Sequence, residues 1–342
     1  MNNQPVISVI VVTFNQEDTI GRTLNSILRQ HCRVGFEIVV GEDCSTDGTR
    51  RVCEAYAEKH PDMVRLMPKA PNKGVVDNYF DCLMAARGQY LADCAGDDWW
   101  TDDTKLQREY EVMLAHPEVT LIHTGWQRFN TNTRLTSPNT FAPFPQPVTD
   151  GHTMLEAILA QETSPVVHLC TALYRADTIR RAYREYPEFF HGRQLGCEDL
   201  QIVFFCALHG SIAYLPQATL SYSVGSCSVS NAQWGNDGER RQFRFVQRTA
   251  QLSHRLMTRF GVTRTALSDR FFADKLFALL MHAFRSHDRS LFSEALQCQR
   301  LWKVKPSFRQ CLLSFIMGHE WLWMPCLRFR NLAVRLKALL KH

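Results

Sequence analysis

The chain has 342 residues, 45% of them hydrophobic and 21% charged. That is an ordinary globular composition, which excludes a largely disordered or fibrous protein, and the length allows one large domain with an appendage or two domains. The net charge of +5 conceals an asymmetry, because residues 241–342 hold 19 Lys and Arg against 5 Asp and Glu, while residues 1–240 hold 20 against 29. An acidic front and a basic back call for different partners, and the basic part could face nucleic acid, anionic lipid or an anionic substrate.

The 12 cysteines form no CxxC pair and no zinc-finger spacing. Cys44, Cys94 and Cys206 lie inside apolar or motif segments, so the plain expectation is reduced cysteines in a cytoplasmic protein. The leading MNNQPVISVIVV has no basic stretch and no small-residue cleavage site. It reads as a polar lead into a strand rather than a signal peptide. No run of about 18 apolar residues occurs, as a spanning helix would need. The nearest candidate, Cys311 to Leu327, is interrupted by His319, Glu320 and Pro325.

Val6 to Thr13 is a continuous β-branched run, the pattern of a strand buried on both faces. Asn15 to Gln30 has helical spacing, with Ile20, Leu24, Ile27 and Leu28 on one face. A strand at Phe36–Val40, a helix over Asp47–His60, a strand at Val64–Met67, a helix over Val75–Ala86 and a strand at Tyr90–Cys94 follow. Strand and helix alternating in this way predict a doubly wound, mostly parallel sheet. Beyond it the spacing predicts a helix over Lys105–Ala115 and strands at Val119–Thr124, His168–Tyr174 and Ile212–Leu215. A helix is predicted over Leu200–His209, and residues 130–150 read as a loop. From about Gly238 the chain is helical and basic, which gives domains of 1–235 and 236–342.

Three short constellations stand at strand ends, the edge where open α/β sheets bind ligands. Thr13-Phe14-Asn15 closes the first strand and is weak alone. Glu42-Asp43-Cys44-Ser45-Thr46-Asp47-Gly48-Thr49 closes the second. A carboxylate there can accept hydrogen bonds from a base N–H or from ribose hydroxyls, and Ser45 or Asp47 could equally cap the next helix. Ala95-Gly96-Asp97-Asp98-Trp99-Trp100 follows the fourth strand. Adjacent carboxylates repel unless a cation lies beside them, and one or two carboxylates suffice for Mg²⁺ when phosphate and water complete the shell. The alternative is a solvated acidic turn continued by Asp102 and Asp103.

In this order, with Asn72-Lys73-Gly74, Lys105-Leu106 and Gly196-Cys197-Glu198-Asp199, these pieces resemble a family 2 glycosyltransferase of the GT-A fold, of the bacterial type that builds surface polysaccharides. The resemblance covers roughly residues 5–225; the combination is specific and no single piece is. It implies a nucleotide-diphosphate donor such as a UDP-sugar, a glycan or lipid-linked acceptor, inversion, and a divalent metal, Mg²⁺ or Mn²⁺. It assigns Thr13, Phe14, Asn15, Glu42, Asp43 and Asn72 to the nucleotide, Asp97 to donor and metal, and Asp98 to the metal. Asp199 becomes the general base, with Glu198 beside it. The chemistry agrees, since an acceptor hydroxyl attacking opposite the leaving diphosphate needs one carboxylate to take its proton. Without the resemblance, Glu198-Asp199 reads as a helix start. Three positions depart from the family pattern: Ala95 stands where a carboxylate is common, and Ser223 and Gly225 stand where Arg and His are common. A homologue that binds a sugar nucleotide without turnover is therefore the alternative.

Trp99, Trp100, Trp126 and His168 could shape a sugar site or simply pack; His123, His191 and His209 read as structural. Near the carboxyl end Phe329, Leu332, Ala333, Leu336 and Leu340 share one helical face, flanked by Arg328, Arg330, Arg335, Lys337 and Lys341. That layout suits a helix lying on a membrane surface, peripheral to the inner face of the cytoplasmic membrane, or a helix docked on the core. No helix-turn-helix, RNA-binding or zinc signature appears, so nucleic acid is not an expected partner.

Overall fold

The computed structural model describes residues 4–138, 146–161, 166–192, 194–225 and 236–339, with side chains of the last segment described over 237–332. In chain order the elements are β1 (Ile7–Thr13), α1 (Ile20–Leu28), β2 (Phe36–Glu42), α2 (Thr49–Lys59), β3 (Val64–Leu66), α3 (Val75–Ala85), β4 (Tyr90–Asp93) and β5 (Trp99–Trp100). Then come α4 (Lys105–Ala115), β6 (Val119–Asn130), β7 (Thr136–Pro138), β8 (Val148–Asp150), α5 (Leu155–Leu159), β9 (Leu173–Arg175), α6 (Ala176–Glu185), α7 (Asp199–His209) and β10 (Ser211–Val224). Among the described residues the helices α8 (Asn236–Phe260), α9 (Ala266–Ser286), α10 (Arg289–Leu301), α11 (Phe308–Gly318) and α12 (Glu320–Leu339) follow. The chain forms two compact units, Met1–Ser226 and Cys227–His342.

In the first unit one sheet runs β3-β2-β1-β4-β9-β6-β10-β5, with β7 beside β6 and β8 beside β10. The half formed by β3, β2, β1 and β4 is parallel. From β9 onward the sheet is mixed, because β9 runs antiparallel to both β4 and β6 while β10 returns parallel to β6. The core lies against this sheet: Ile7, Val9 and Val11 of β1 pack with Ile20, Leu24 and Ile27 of α1.

Several boundaries differ from the sequence expectation. The first helix begins at Ile20 rather than Asn15, because Asn15 takes a left-handed conformation (φ 52°) that ends the strand in a loop. The strand expected at His168–Tyr174 opens as a 3-10 turn at Leu169–Thr171 before β9. β7 and β8 lie within the segment read as a loop, and β6 and β10 run well past their expected ends.

The second unit is helical, as its pattern predicts. Phe243, Leu256, Phe272, Leu276, Trp302 and Trp323 are among its buried side chains. Its turns carry their own caps: Thr265 and Ser268 form a capping box ahead of α9, Ser307 and Gln310 another ahead of α11. The Asp288 carboxylate accepts the first N–H groups of α10. Among the described residues no helix is long and apolar enough to cross a membrane. Of the residues expected to form the membrane face, Leu340 and Lys341 and the side chains of Ala333, Arg335, Leu336 and Lys337 lie outside the described residues.

Candidate active site

Strand register sets the site. Thr13 is level with Glu42 across the β1–β2 pair. The chain leaving β4 continues alongside β1, where Cys94 N–H donates to Ile10 O (3.0 Å) and Gly96 N–H to Val12 O (3.1 Å). Gly96 thereby reaches the level of Thr13. A side chain at Gly96 would collide, since a Cβ there would stand 2.7 Å from Thr13 Oγ1. The three strand-end constellations meet at one carboxyl edge, and β1 is the strand from which the chain winds both ways, the switch point where such sheets form a crevice.

Hydrogen bonds tie the first two constellations together. Asn15 N–H donates to Ser45 Oγ (2.9 Å), and Asn15 Oδ1 accepts from Thr46 N–H (2.8 Å). Gln16 N–H donates to Thr49 Oγ1 (2.7 Å), and Thr13 Oγ1 donates to Gln16 Oε1 (2.8 Å). Glu42 is buried, and its Oε1 accepts from Ser45 N–H. Asn15 and Cys44 both hold left-handed conformations without being glycine. Such strain persists where the surrounding bonds over-determine it. Phe14 projects from this frame and is 46% exposed.

Asp43 reaches forward thirty residues. Its two oxygens accept the N–H groups of Lys73 (2.8 Å) and Gly74 (2.9 Å), and its carbonyl accepts from Asn72 Nδ2 (2.8 Å). Gly74 sits at φ +88°, a conformation suited to glycine, and opens α3. Beside this clamp lies a cavity of about 310 Å³ lined by Glu42, Asp43, Met67, Pro71, Lys73 and Asn78, among others. That is the lower end of the usual ligand-pocket range, about 300–1,000 Å³.

The acidic turn separates its two carboxylates. Asp98 is 1% exposed; its Oδ1 accepts from Ser223 N–H (2.8 Å), and its Oδ2 is buried without a hydrogen bond of good geometry. Burial and then the charge of Asp97 push its pKa well above the usual carboxylate range, eased by the Ser223 N–H and by the nearby Cys170 thiol. Asp97 is only half-buried by its surface exposure. Burial raises its pKa, and Gln16 and Arg22 lower it in part. Among the described residues no group of three or more His, Cys, Asp or Glu could hold a metal by itself. A hard divalent ion still fits Asp97, because one carboxylate with phosphate and water is a sufficient donor set.

Two contacts here are silent in the sequence. Arg22 of α1 lies over the Trp99 ring (3.7 Å to the centroid), and its Nη2 donates to Asp97 O (2.8 Å). Ser223 of β10 donates its hydroxyl to Asp97 O (2.6 Å). The segment that departs from the family pattern thus braces the acidic turn. No spacing links residue 223 to residue 97, and in the sequence Arg22 shows only as a cation seven residues after the strand-end motif.

Glu198 and Asp199 open α7. Asp199 is exposed, and its Oδ1 accepts from Leu200 N–H (2.8 Å). Burial of the Glu198 carboxyl, then the charge of Asp199, raise its pKa to about 8, with a further contribution from Asp93 at the end of β4. No hydrogen bond among the described residues links Asp199 to Asp97. Of the aromatic candidates, Trp100 is core, its Nε1 donating to Cys170 O (2.9 Å). Trp126 makes a tilted ring contact with His168 (5.3 Å) and an edge-to-face contact with Tyr222 (5.6 Å), and burial lowers the His168 pKa to about 4. Lys105 is buried under Trp100 in an ion pair with Glu109 (2.7 Å), a packing role.

The profile of "Glycosyl transferase family 2" matches residues 8–181, a little over half of the chain. An uncharacterised protein of Mycobacterium tuberculosis is 38% identical over 115 residues, 34% of this chain and 33% of the relative. The putative glycosyltransferase EpsE of Bacillus subtilis is 32% identical over 130 residues, 38% of this chain and 46% of EpsE. The chain therefore spans less than half the length of these relatives. Among solved structures, TarS of S. aureus with UDP-GlcNAc superposes with a TM-score of 0.51 at 17% identity, over 86% of this chain and 91% of that one. The mannosyltransferase PcManGT of Pyrobaculum calidifontis with GDP-Man and Mn²⁺ gives 0.51 at 16% identity, over 96% and 87%. The two superpositions show a shared GT-A-like fold, and the profile match over more than half of its length shows that the chain belongs to glycosyl transferase family 2.

Proposed function

We propose that the chain transfers a sugar, with inversion, from a nucleoside diphosphate donor to a hydroxyl of a glycan or lipid-linked acceptor in surface-polysaccharide assembly. The observation that carries this reading is the register that brings Thr13, Glu42 and Gly96 level at one sheet edge. The donor is taken to be a UDP-sugar, as in the TarS complex, with the GDP-sugar of PcManGT as the variant to test. The assignment to polysaccharide follows the names of EpsE and of the putative teichuronic acid glycosyltransferase TuaG.

Each residue then has a task. The frame of Thr13, Asn15, Glu42 and Asp43 shapes the nucleoside side, with Phe14 offering a ring to the base and Asn72 holding the Asp43 loop. Asp97 would hold the divalent ion, which when bound would neutralise charge on the leaving diphosphate. Asp98, turned inward, sets the conformation of that turn. Arg22 adds a fixed cation beside it. Asp199 takes the proton of the acceptor hydroxyl, and Glu198, with its raised pKa, positions the loop or donates a hydrogen bond to the acceptor.

The test is nucleoside diphosphate release from a panel of UDP- and GDP-sugars with Mn²⁺, then with chelator. Release that requires the ion and is stimulated by a lipid-linked or oligosaccharide acceptor supports the reading. A folded protein that releases nothing from any donor, with or without acceptor, overturns it in favour of a homologue that only binds.

A further inference from the structure

We propose that α11 and α12 together form a surface that docks on an anionic lipid bilayer. This inference does not rest on the sugar-transfer reading.

Both helices already have a satisfied inner face. On α11, Met317 is buried, and buried Gln310 donates its Nε2 to Ala273 O (2.7 Å). On α12, Trp323 and Leu327 are buried, and Trp323 Nε1 donates to Phe284 O (3.1 Å). The outer faces are apolar as well. Phe308, Leu312 and Phe315 recur at i, i+4 and i+7 on α11, and Phe308 is 80% exposed. Trp321, Phe329 and Leu332 continue on α12, with Trp321 71% and Phe329 75% exposed. Ring contacts join the two helices, since Phe315 meets His319 (4.5 Å) and His319 meets Trp321 (6.2 Å). A helix with one buried apolar face needs no second one for folding, and six large side chains in water form the kind of patch that marks an interaction surface.

Charge selects the occupant. Residues 300–332 hold Arg300, Lys303, Lys305, Arg309, Arg328 and Arg330 against one carboxylate, Glu320. That carboxylate is engaged by Arg289 (2.8 Å) and His287 (2.7 Å). Apolar and aromatic side chains fringed by cations match the boundary between acyl chains and anionic headgroups. A second copy of the chain would bring the same cations face to face. Nucleic acid would use the cations and leave the apolar side chains in water.

The test sediments the full-length protein with vesicles of phosphatidylcholine alone, or with about 30% phosphatidylglycerol added. Binding should favour the anionic vesicles and weaken with salt. The triple variant Phe308→Ser, Phe315→Ser, Trp321→Ser should bind them about tenfold less or weaker still, because interfacial binding scales with buried apolar area. All three side chains are exposed, so its thermal transition should match wild type. Arg309→Gln with Arg328→Gln checks the charge separately and should remove the preference for anionic lipid. Equal binding to both vesicles, no vesicle binding, binding to DNA in place of lipid, or a lipid-free dimer abolished by the triple variant would each overturn the proposal.

Discussion

At the scale of single residues, the most informative side chain is Asp43. Its place at a strand end is legible in the sequence, and so is its suitability for a nucleotide. What it bonds to is not, because Lys73 and Gly74 lie thirty residues on and nothing local signals the contact. Replacing it with alanine removes an acceptor from two backbone donors and loosens the wall of the cavity proposed to take the nucleotide. Asp43→Ala should weaken UDP-sugar binding by about 1–3 kcal/mol, the range for hydrogen bonds to charged groups; unchanged affinity in a folded variant would take Asp43 out of the site. Asp199 poses the opposite case, a residue whose motif is readable and whose surroundings are sparse. Asp199→Asn keeps shape and one hydrogen bond but cannot take a proton. Transfer should fall by about 10²–10⁴-fold, and the loss should appear in kcat with donor affinity near wild type. Single-turnover transfer decides this, and a larger loss in Glu198→Gln would move the base to Glu198. Arg22 and Ser223 were illegible because each meets the acidic turn only through tertiary packing.

At the scale of elements, the β-branched runs of β1 and β2 and the spacing of α1 disclose the parallel half of the sheet. β10 is less readable, because it passes through Pro216 and then buries Thr219, Ser221 and Ser223. A polar strand can be core here because Thr219 and Thr124 share a hydrogen bond (2.6 Å) with β6. β5 has two residues, too few for any period to show. β6 also carries His123, fully buried against Tyr214 (4.9 Å), and burial lowers its pKa to about 3. The native state thus holds His123 neutral while the unfolded chain takes up a proton below about pH 6.5. The unfolded state binds more protons in that window, so stability from this residue is present above about pH 6.5 and lost as pH falls towards 3. Asp93 acts with the opposite sign, since burial raises its pKa to about 7. A comparison with a variant isolates the histidine. The stability advantage of wild type over His123→Gln should shrink by about 2 kcal/mol between about pH 7.5 and about pH 5. Urea unfolding at the two values measures it, and a constant difference would mean that His123 is charged in the fold or reaches water.

At the scale of the whole molecule, charge and architecture divide together. The acidic front coincides with the sheet unit that holds every proposed donor residue, and the basic back with the helical unit that exposes α11 and α12. The sequence disclosed the doubly wound half of the fold and a helical, basic carboxyl region. It could not disclose that β9 inserts antiparallel between β4 and β6, because a strand of three residues has no direction written in it. On the proposed function, the edge joining Thr13, Glu42 and Gly96 binds a nucleoside diphosphate-sugar through an ion held at Asp97. Calorimetric titration of UDP- and GDP-sugars into wild type and Asp97→Asn, each with Mn²⁺ and with chelator, tests it most directly. Saturable binding to wild type that weakens by about tenfold or more in chelator, and equally in Asp97→Asn, is the predicted result for loss of a charge-neutralising contact. Binding of the same strength in all four titrations of a donor, or none of either donor to folded wild type with Mn²⁺, would contradict this assignment.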